Sequence, residues 1–406
     1  MGKTPPRTHK DDDMTKTVTE EAKVTGKTSA ASGTMKFTTP QTTLAGAVDR
    51  VLNVVPQKTT MPVLGHILLE AEGSQVKITA TDLDLSICTT IEATVAKEGS
   101  VTLPAKRFSE IVRQLDSNAD VNLDVNKANA LITAGRANFR ILGMGAEEFP
   151  KVPNLVFKKG VTIPGDTLRK AIQRTSYCVS KDETRRALTG VLWELSKDSM
   201  AMVGTDGHRL ARISVPVEIS VEKQTTCIVP TKALNQVMRL VGEGVDDTVS
   251  VKLAEDHVIF RFEKTTLFTR LIEGPFPKYE DVIPKGNDKR VIVKRDAFLD
   301  ALRRVALLSD NLTHQVRVAV KPDTMTLSAR TQDIGEAQEE LEAQYGGDEI
   351  VMGFNAQYLG ELLRNVSTED ALLSLSSPLN AGLVEPVEQG EDENYLCLIM
   401  PLRLVD

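Results

Sequence analysis

The six residues at 205–210, Thr-Asp-Gly-His-Arg-Leu, are the part of this chain that comes closest to a catalytic site. Asp206 and His208 could act as a general-base pair or as two metal ligands, and Arg209 could hold an anionic substrate. The other four histidines of the chain show no metal-ligand spacing with His208. A related segment, Thr-Asp-Leu-Asp-Leu at 81–85, indicates that Thr-Asp belongs to a repeated scaffold and that Gly-His-Arg serves something local.

The catalytic hypothesis finds little further support, and we expect no enzymatic activity. The sequence contains no nucleophile elbow, no phosphate-binding P-loop and no dinucleotide fingerprint. The four cysteines, Cys88, Cys178, Cys227 and Cys397, lie far apart without CxxC spacing, so neither a zinc site nor a disulfide framework is indicated. We expect reduced core thiols, no metal and no cofactor.

The elements that position this segment follow from a repeat. Six times, at spacings of 60 to 66 residues, a short apolar run leads into a helical pattern; the runs end at Pro40, Pro104, Pro164, Pro230, Lys294 and Phe354. Four residues further on stand Leu44, Phe108, Leu168, Leu234, Phe298 and Tyr358. Eight residues further on stand Val48, Val112, Ile172, Met238, Leu302 and Leu362. These offsets predict six amphipathic helices, with the prolines in the first helical turn.

The segments between the predicted helices alternate like paired strands around Gly, Ser, Asp or Pro turns, for example at 66–87, 191–215 and 315–329. Pairing neighbouring units gives a longer period near 125 residues, since Glu-Glu-Phe-Pro-Lys at 147–151 resembles Gly-Pro-Phe-Pro-Lys at 274–278. The pattern predicts an α+β protein of three similar two-helix, multi-strand domains. The predicted boundaries are 35–158, 159–286 and 287–406.

Residues 1–34 contain almost no large apolar side chains and are predicted to form a disordered extension. No apolar run approaches the roughly 20 residues that a bilayer-spanning helix needs, and the extension lacks the apolar centre of a secretory signal. We therefore expect a cytoplasmic protein that does not contact a membrane.

The predicted helices differ in net charge from the rest of the chain. The chain carries 49 Lys and Arg against 56 Asp and Glu, a formal net charge of -7, which argues against a protein that coats nucleic acid over its whole surface. Fourteen basic and six acidic residues fall in the helix windows 41–55, 104–115, 164–179, 230–241, 294–308 and 355–366. Each window alone is compatible with an ordinary solvated face. Six helices of one orientation instead predict a basic surface suited to the phosphate backbone without base reading.

Several motifs in a fixed order resemble the bacterial beta sliding clamp family, the processivity subunit of the replicative DNA polymerase. They are MKFT at 35–38, MPVLGHILLE at 61–70, TDLDL at 81–85, TDGHRLA at 205–211, FPKY at 276–279, GFNAQYL at 353–359 and MPLRL at 400–404. The resemblance implies two chains joined head to tail in a closed ring, with twelve helices inside and the sheets outside. It implies that duplex DNA passes through the ring and that DNA polymerase and clamp-loader subunits bind through short linear motifs.

In this family, partner peptides bind a hydrophobic pocket between the second and third domains. By resemblance its wall comprises Leu188, Thr205, Gly207, His208, Arg209, Leu210, Pro277, Val282, Asn355, Tyr358, Leu379, Leu398, Ile399, Met400, Pro401, Leu402 and Arg403. The apolar members suit Leu and Phe anchors, while Asn355, His208 and Arg403 could orient the peptide. Two departures from the family are Asp281, where an arginine is frequent, and the terminal extension Val405–Asp406.

The resemblance also implies DNA contacts at Lys58, Arg185 and Arg186, although the loop at 181–186 also reads as a solvated surface turn. A dimer contact would place Phe139 and Ile141 of one chain against two apolar residues of the other, Leu307 and Leu308. The alternative outside this class is a monomeric repeat scaffold that binds proteins and never encircles DNA.

Overall fold

The computed structural model describes residues 33–152, 160–219, 224–241, 248–332, 334–390 and 393–404. Most of the predicted extension at 1–34, the predicted boundary at 158/159 and the terminal pair Val405–Asp406 lie outside the described residues. The described residues already have regular structure before Met35, since Thr34 belongs to the first strand and the Gly33 N–H donates to the Ser100 carbonyl (2.9 Å).

Each unit contains two α-helices among its described residues. The first unit comprises β1 Thr34–Pro40, α1 Gln41–Leu52, β2 His66–Glu72, β3 Gln75–Thr81, β4 Leu85–Glu92, β5 Thr94–Lys97, β6 Gly99–Pro104, α2 Ala105–Gln114, β7 Asp120–Asn126, β8 Asn129–Ala134 and β9 Ala137–Leu142. The second comprises β10 Val161–Pro164, α3 Gly165–Ser176, β11 Gly190–Leu195, β12 Ser199–Thr205, β13 Arg209–Pro216, β14 Thr225–Pro230, α4 Thr231–Val241, β15 Thr248–Leu253, β16 His257–Arg261 and β17 Thr265–Arg270. The third comprises β18 Lys289–Lys294, α5 Arg295–Ala306, β19 Gln315–Lys321, β20 Thr324–Thr331, β21 Gly335–Gln344, β22 Ile350–Asn355, α6 Ala356–Arg364, β23 Asp370–Leu375, β24 Gly382–Pro386 and β25 Asn394–Ile399. Short 3-10 turns occupy Pro62–Gly65, Ala146–Glu148, Glu183–Thr189 and Tyr279–Asp281.

The six predicted helices are confirmed, and so is the α+β class with its three similar units. The residues at the fourth and eighth positions are buried, except Tyr358 and Met238, which are half-buried. The prediction that the four prolines lie in the first helical turn is wrong by one residue. Each of the four ends a strand and immediately precedes its helix, because the fixed φ of proline suits both the extended chain and the residue before a helix.

The strands form antiparallel sheets of five, eight and twelve strands in the described part of the chain. Two strand pairs join the units: β4 of the first pairs with β17 of the second, and β13 of the second pairs with β25 of the third. The predicted boundary at 286/287 falls between β17 and β18 and stays a prediction. In the described residues, no helix combines the length and apolar character that a membrane span requires.

The four cysteines are free thiols, as predicted, and Cys178 and Cys397 are buried. Burial raises the pKa of the Cys397 thiol to about 11. A thiol with that pKa remains protonated and unreactive at neutral pH.

Leu168 tests the helical stripe, because its side chain is fully buried beneath α3. We expect Leu168→Ala to lower the free energy of unfolding by about 2–5 kcal/mol, through lost burial and a residual cavity. The matched control is Lys170→Ala on the exposed face of the same helix, with an expected effect within about 0.5 kcal/mol. Urea titration followed by circular dichroism measures both, and equal losses would contradict the assigned helix face.

Candidate functional site

The segment 205–209 forms a tight turn between β12 and β13, and the turn itself uses its polar groups. The carboxylate of Asp206 accepts hydrogen bonds from the backbone N–H groups of His208 (2.9 Å) and Arg209 (3.0 Å). The Thr205 hydroxyl donates to the Arg209 carbonyl (2.6 Å) and accepts from the Gly207 N–H (3.1 Å). Gly207 has φ of 90°, a conformation that favours glycine.

The same turn recurs in the first unit at 81–85. The Asp82 carboxylate accepts from the backbone N–H groups of Asp84 (3.1 Å) and Leu85 (2.7 Å), and the Thr81 hydroxyl donates to the Leu85 carbonyl (3.2 Å). Leu83 takes the place of Gly207 with φ of 86°. The prediction that Thr-Asp belongs to a repeated scaffold is therefore confirmed.

This geometry removes the basis of the general-base hypothesis. One oxygen of Asp206 receives two backbone N–H groups, and the other receives the Arg209 Nε (3.1 Å). The His208 ring stacks near Tyr358, with ring centroids 6.4 Å apart and planes at 25°. Asp206 thus supports the turn, and His208 is exposed at its tip.

Arg209 is buried and ties the turn to helix α6. Its guanidinium donates to Asp206, to the Tyr177 carbonyl (2.8 Å) and to the Glu361 carboxylate on α6. Its guanidinium carbon lies 4.4 Å from the centroid of the Tyr358 ring, which is within cation–π range. The Arg209 side chain therefore lies on the helix-facing side of the sheet and holds the turn against α6.

The C-terminal segment runs past the turn at the second junction. Leu210 pairs with Leu398 in the β13–β25 ladder, and the Met400 N–H donates to the His208 carbonyl (2.8 Å). Further on, the Leu402 N–H donates to the Gly353 carbonyl (2.8 Å). The Gln315 side-chain amide donates to the Arg403 carbonyl (2.9 Å), which holds residues 400–403 beside the start of α6.

A compact apolar cluster, separate from the main core, forms the floor of this junction. Its buried members are Leu192, Val203, Leu210, Ile228, Tyr279, Ala381, Leu383 and Leu398. Of these cluster members, the sequence analysis assigned only Leu210 and Leu398 to the site. The strand alternation of β11 and β12 could have identified Leu192 and Val203, because they alternate with main-core residues such as Trp193 and Met202.

The rim above this floor carries exposed apolar side chains. Met400 is 42 % exposed, Val282 53 % and Leu379 72 %. Pro277 is also exposed, Pro401 and Leu402 are half-buried, and Leu188 is buried within the Glu183–Thr189 turn. An open pocket with an apolar floor and an apolar rim is typical of a peptide-binding site.

Two predicted wall residues make contacts that the sequence did not predict, and their place in the wall stays a prediction. Ile399 belongs to the main core and faces the helices, because it lies opposite Arg209 and one position out of phase with Leu398. Asn355 caps α6, since its side-chain oxygen accepts from the N–H groups of Gln357 (2.9 Å) and Tyr358 (3.1 Å). Arg403 is exposed at the chain end.

The predicted DNA contacts fall into two groups. Lys58 and Arg186 are exposed. Arg185 is exposed as well, but its guanidinium donates to the Asp182 carboxylate (3.2 Å), to the Ser180 hydroxyl (3.2 Å) and to the Asp206 carbonyl (2.9 Å). The loop that holds Arg185 is thus bonded directly to the 205–209 turn.

Arg209 supplies the test of this arrangement. We expect Arg209→Gln to reduce the free energy of unfolding by about 1–3 kcal/mol, because Asp206 and Glu361 lose a charged donor while Glu361 still reaches water. The control is Arg186→Gln on the exposed loop, with little expected change. The coupling between Arg209 and Glu361 is measured by thermal and urea unfolding of Arg209→Gln, of Glu361→Gln and of the variant that carries both changes. Strictly additive losses of stability would show that this pair does not link the turn to the helix.

The family models for the N-terminal, central and C-terminal domains of the DNA polymerase III beta subunit match residues 35–153, 162–278 and 280–403. The chain is 33 % identical over 373 residues to the beta sliding clamp of Chlamydia muridarum, covering 92 % of this chain and all of that protein. It resembles the crystal structure of the Pseudomonas aeruginosa DNA polymerase sliding clamp with ligand, with a TM-score of 0.87, 31 % identity, and coverage of 91 % of this chain and all of that one.

A second Pseudomonas aeruginosa sliding clamp structure, bound to griselimycin, has a TM-score of 0.86 and 30 % identity, and the match covers 92 % of this chain and all of that one. The family models together span most of the chain and follow one another in order. This chain therefore belongs to the DNA polymerase III beta subunit family, the beta sliding clamps.

Proposed function

We propose that two copies of this chain, without catalysis of their own, close into a ring around duplex DNA in the cytoplasm. The ring tethers a DNA polymerase and other replication proteins, whose short peptides bind the apolar pocket at the second junction. The observation that carries the proposal is the common face of the helices. At the first junction Ile87 lies opposite Leu267, and at the second Ala211 lies opposite Cys397, and all four belong to the main core. The helices of all three units therefore cover the same side of the joined sheets.

The exposed surface of those helices carries cations. Lys106, Lys170, Arg239 and Arg364 are exposed and form no ion pair with any described residue. Such charges attract phosphate without reading bases. A closed ring cannot leave the duplex sideways, so weak attraction is enough, and a tethered polymerase stays at high effective concentration near the primer end.

Edge strands support the head-to-tail dimer. Strand β9 ends the five-stranded sheet and leaves one edge open among the described residues. Phe139 (37 %) and Arg140 are exposed on this strand, and Arg136 is exposed in the turn before it. Open edges with apolar side chains are normally covered in native proteins. Pairing β9 with a complementary strand of a second chain would cover it.

Strand β21 in the third unit offers the complement. It pairs with β20 along its length, but with β18 only at Ala343 and Gln344, so its other edge is open over the described residues before them. Glu340 and Glu342 are exposed on this strand. The Thr331 hydroxyl donates to the Leu308 carbonyl (2.8 Å), which places the turn before β21 beside the end of α5.

That end of the third unit is also apolar. Leu307 is 78 % exposed, Leu312 and Ile334 are exposed as well, and Leu308 is half-buried among them. This patch would meet Phe139 and Ile141 of the second chain. Acidic β21 and basic β9 then form one continuous sheet across the contact.

Retention on circular DNA tests the ring. We expect the protein, loaded by a clamp loader onto nicked circular DNA, to co-elute with it in gel filtration at moderate salt and to be lost when the circle is cut. A ring closed around the duplex can escape only over a free end. Protein that stays bound after linearisation would contradict the proposal.

Charge exchange tests the dimer. We expect Arg136→Glu with Arg140→Glu to shift the mass in solution from two chains to one, because each interface then joins two acidic strands. Adding Glu340→Arg and Glu342→Arg to the same chain should restore the dimer. Light scattering after gel filtration gives the mass, and Arg239→Glu on α4 is the control. A wild-type mass of one chain at micromolar concentration would favour the monomeric scaffold.

A further inference from the structure

A second groove lies on the second unit beside the peptide pocket. It encloses about 780 Å³ between strands β11 and β14 and the segment at 271–280. Neither the family resemblance nor the predicted wall residues account for it, except that Pro277 borders both the groove and the pocket.

The floor of this groove continues the floor of the pocket. Leu192, Ile228 and Tyr279 line the groove and also belong to the apolar cluster that holds Leu210 and Leu398. Ile272 and Phe276 pack against the same cluster and are half-buried. A peptide held over Leu210 and Leu398 therefore meets an apolar path that leads into the groove.

The rim of the groove is acidic. Glu255, Glu273 and Glu280 line it, are exposed and form no ion pair with any described residue. Lys278 is the one cationic side chain among the lining residues. Three unpaired carboxylates against one lysine, around an apolar floor, favour a ligand with positive charge next to an apolar segment.

The remaining acidic residues of the groove have partners and contribute less to the attraction of a cation. Glu194 accepts a hydrogen bond from the Tyr279 hydroxyl (2.7 Å), and Asp256 contacts the His257 ring. Arg212 lies near Glu194 and Tyr279 and offsets part of that charge. The attraction must therefore come mainly from Glu255, Glu273 and Glu280.

We infer that this groove receives a basic flank of the partner peptide, a stretch with Lys or Arg next to the apolar anchors held by the pocket. The inference rests on the proposed peptide-binding function of the pocket and adds its charge preference. Continuity of the apolar floor supplies the path, and the free carboxylates supply the selection. DNA phosphate and acidic flanks are repelled by the same charges.

The test compares flanks on one core peptide. A short Leu- and Phe-bearing peptide with neutral flanks is made alongside versions with four lysines before the core, four lysines after it, or four glutamates on either side. Fluorescence anisotropy measures Kd on the full chain at low and high salt. At least one of the two lysine-flanked peptides should bind about three- to tenfold more tightly than the neutral peptide at low salt. The glutamate-flanked peptides should bind more weakly than the neutral one. The gain should vanish near 0.5 M salt, where charges are screened beyond about 4 Å.

Matched variants locate the effect. The triple change Glu255→Gln, Glu273→Gln and Glu280→Gln should abolish the lysine gain and leave binding of the neutral peptide unchanged. The control triple, Glu72→Gln, Glu263→Gln and Glu388→Gln, removes the same charge from exposed sites outside the groove and should keep the gain.

The outcomes separate this inference from the function on which it rests. If the neutral peptide binds and is weakened by His208→Ala, but lysine flanks give no gain or the control triple loses the gain equally, the inference is wrong and the pocket stands. If the neutral peptide does not bind at all, the proposed pocket function fails and the inference fails with it.

Discussion

Strand pairing across the two junctions is the constraint on which the rest of this structure depends. The β4–β17 and β13–β25 ladders join separate units into sheets, and their register puts core residues opposite core residues. A shift of one residue would turn the helix-facing side chains of one unit outward. The common helix face, the turn beside Met400 and the apolar floor of the pocket all follow from this register.

The two junctions share this frame and differ in the side chains that it presents. Both contain the Thr-Asp turn, in which the aspartate carboxylate accepts from a backbone N–H and the threonine hydroxyl donates to a backbone carbonyl. On the outer face, Val203 and Leu210 of the second unit correspond to Thr79 and Ser86 of the first. The Thr81 and Ser86 hydroxyls bond to each other there (2.7 Å). Apolar residues at the second junction leave a floor for a ligand, whereas the first junction has hydroxyl side chains in their place.

This contrast also explains what the sequence could predict. The helices could be predicted because the apolar residues at offsets of four and eight are those that become buried. The Thr-Asp turn could be predicted because it occurs twice in the sequence. The core packing of Ile399 and the capping contacts of Asn355 could not be predicted in this way. Whether a strand residue faces the helices or the outer surface depends on the partner strand, which lies almost 200 residues away for Arg209 and Ile399. Asn355 sits at a helix start, where capping competes with ligand binding for the same amide. The acidic groove depends on the path of 271–280 back over β11 and β14, which no local pattern encodes.

The charges on the helices fit a ring better than a tight DNA-binding surface. Several of the exposed arginines are already paired along their own helix, as Arg107 with Glu110 (2.8 Å), Arg169 with Asp166 (3.1 Å) and Arg303 with Asp300 (3.2 Å). A phosphate that approaches such an arginine competes with a carboxylate one turn away, so each contact is weak and easily exchanged. Strong phosphate contacts would hold the protein at one position and make it sensitive to salt. In the proposed ring, closure around the duplex retains the protein, so the helices need only keep the duplex centred while it moves. Paired charges with a few free cations between them are suited to that task.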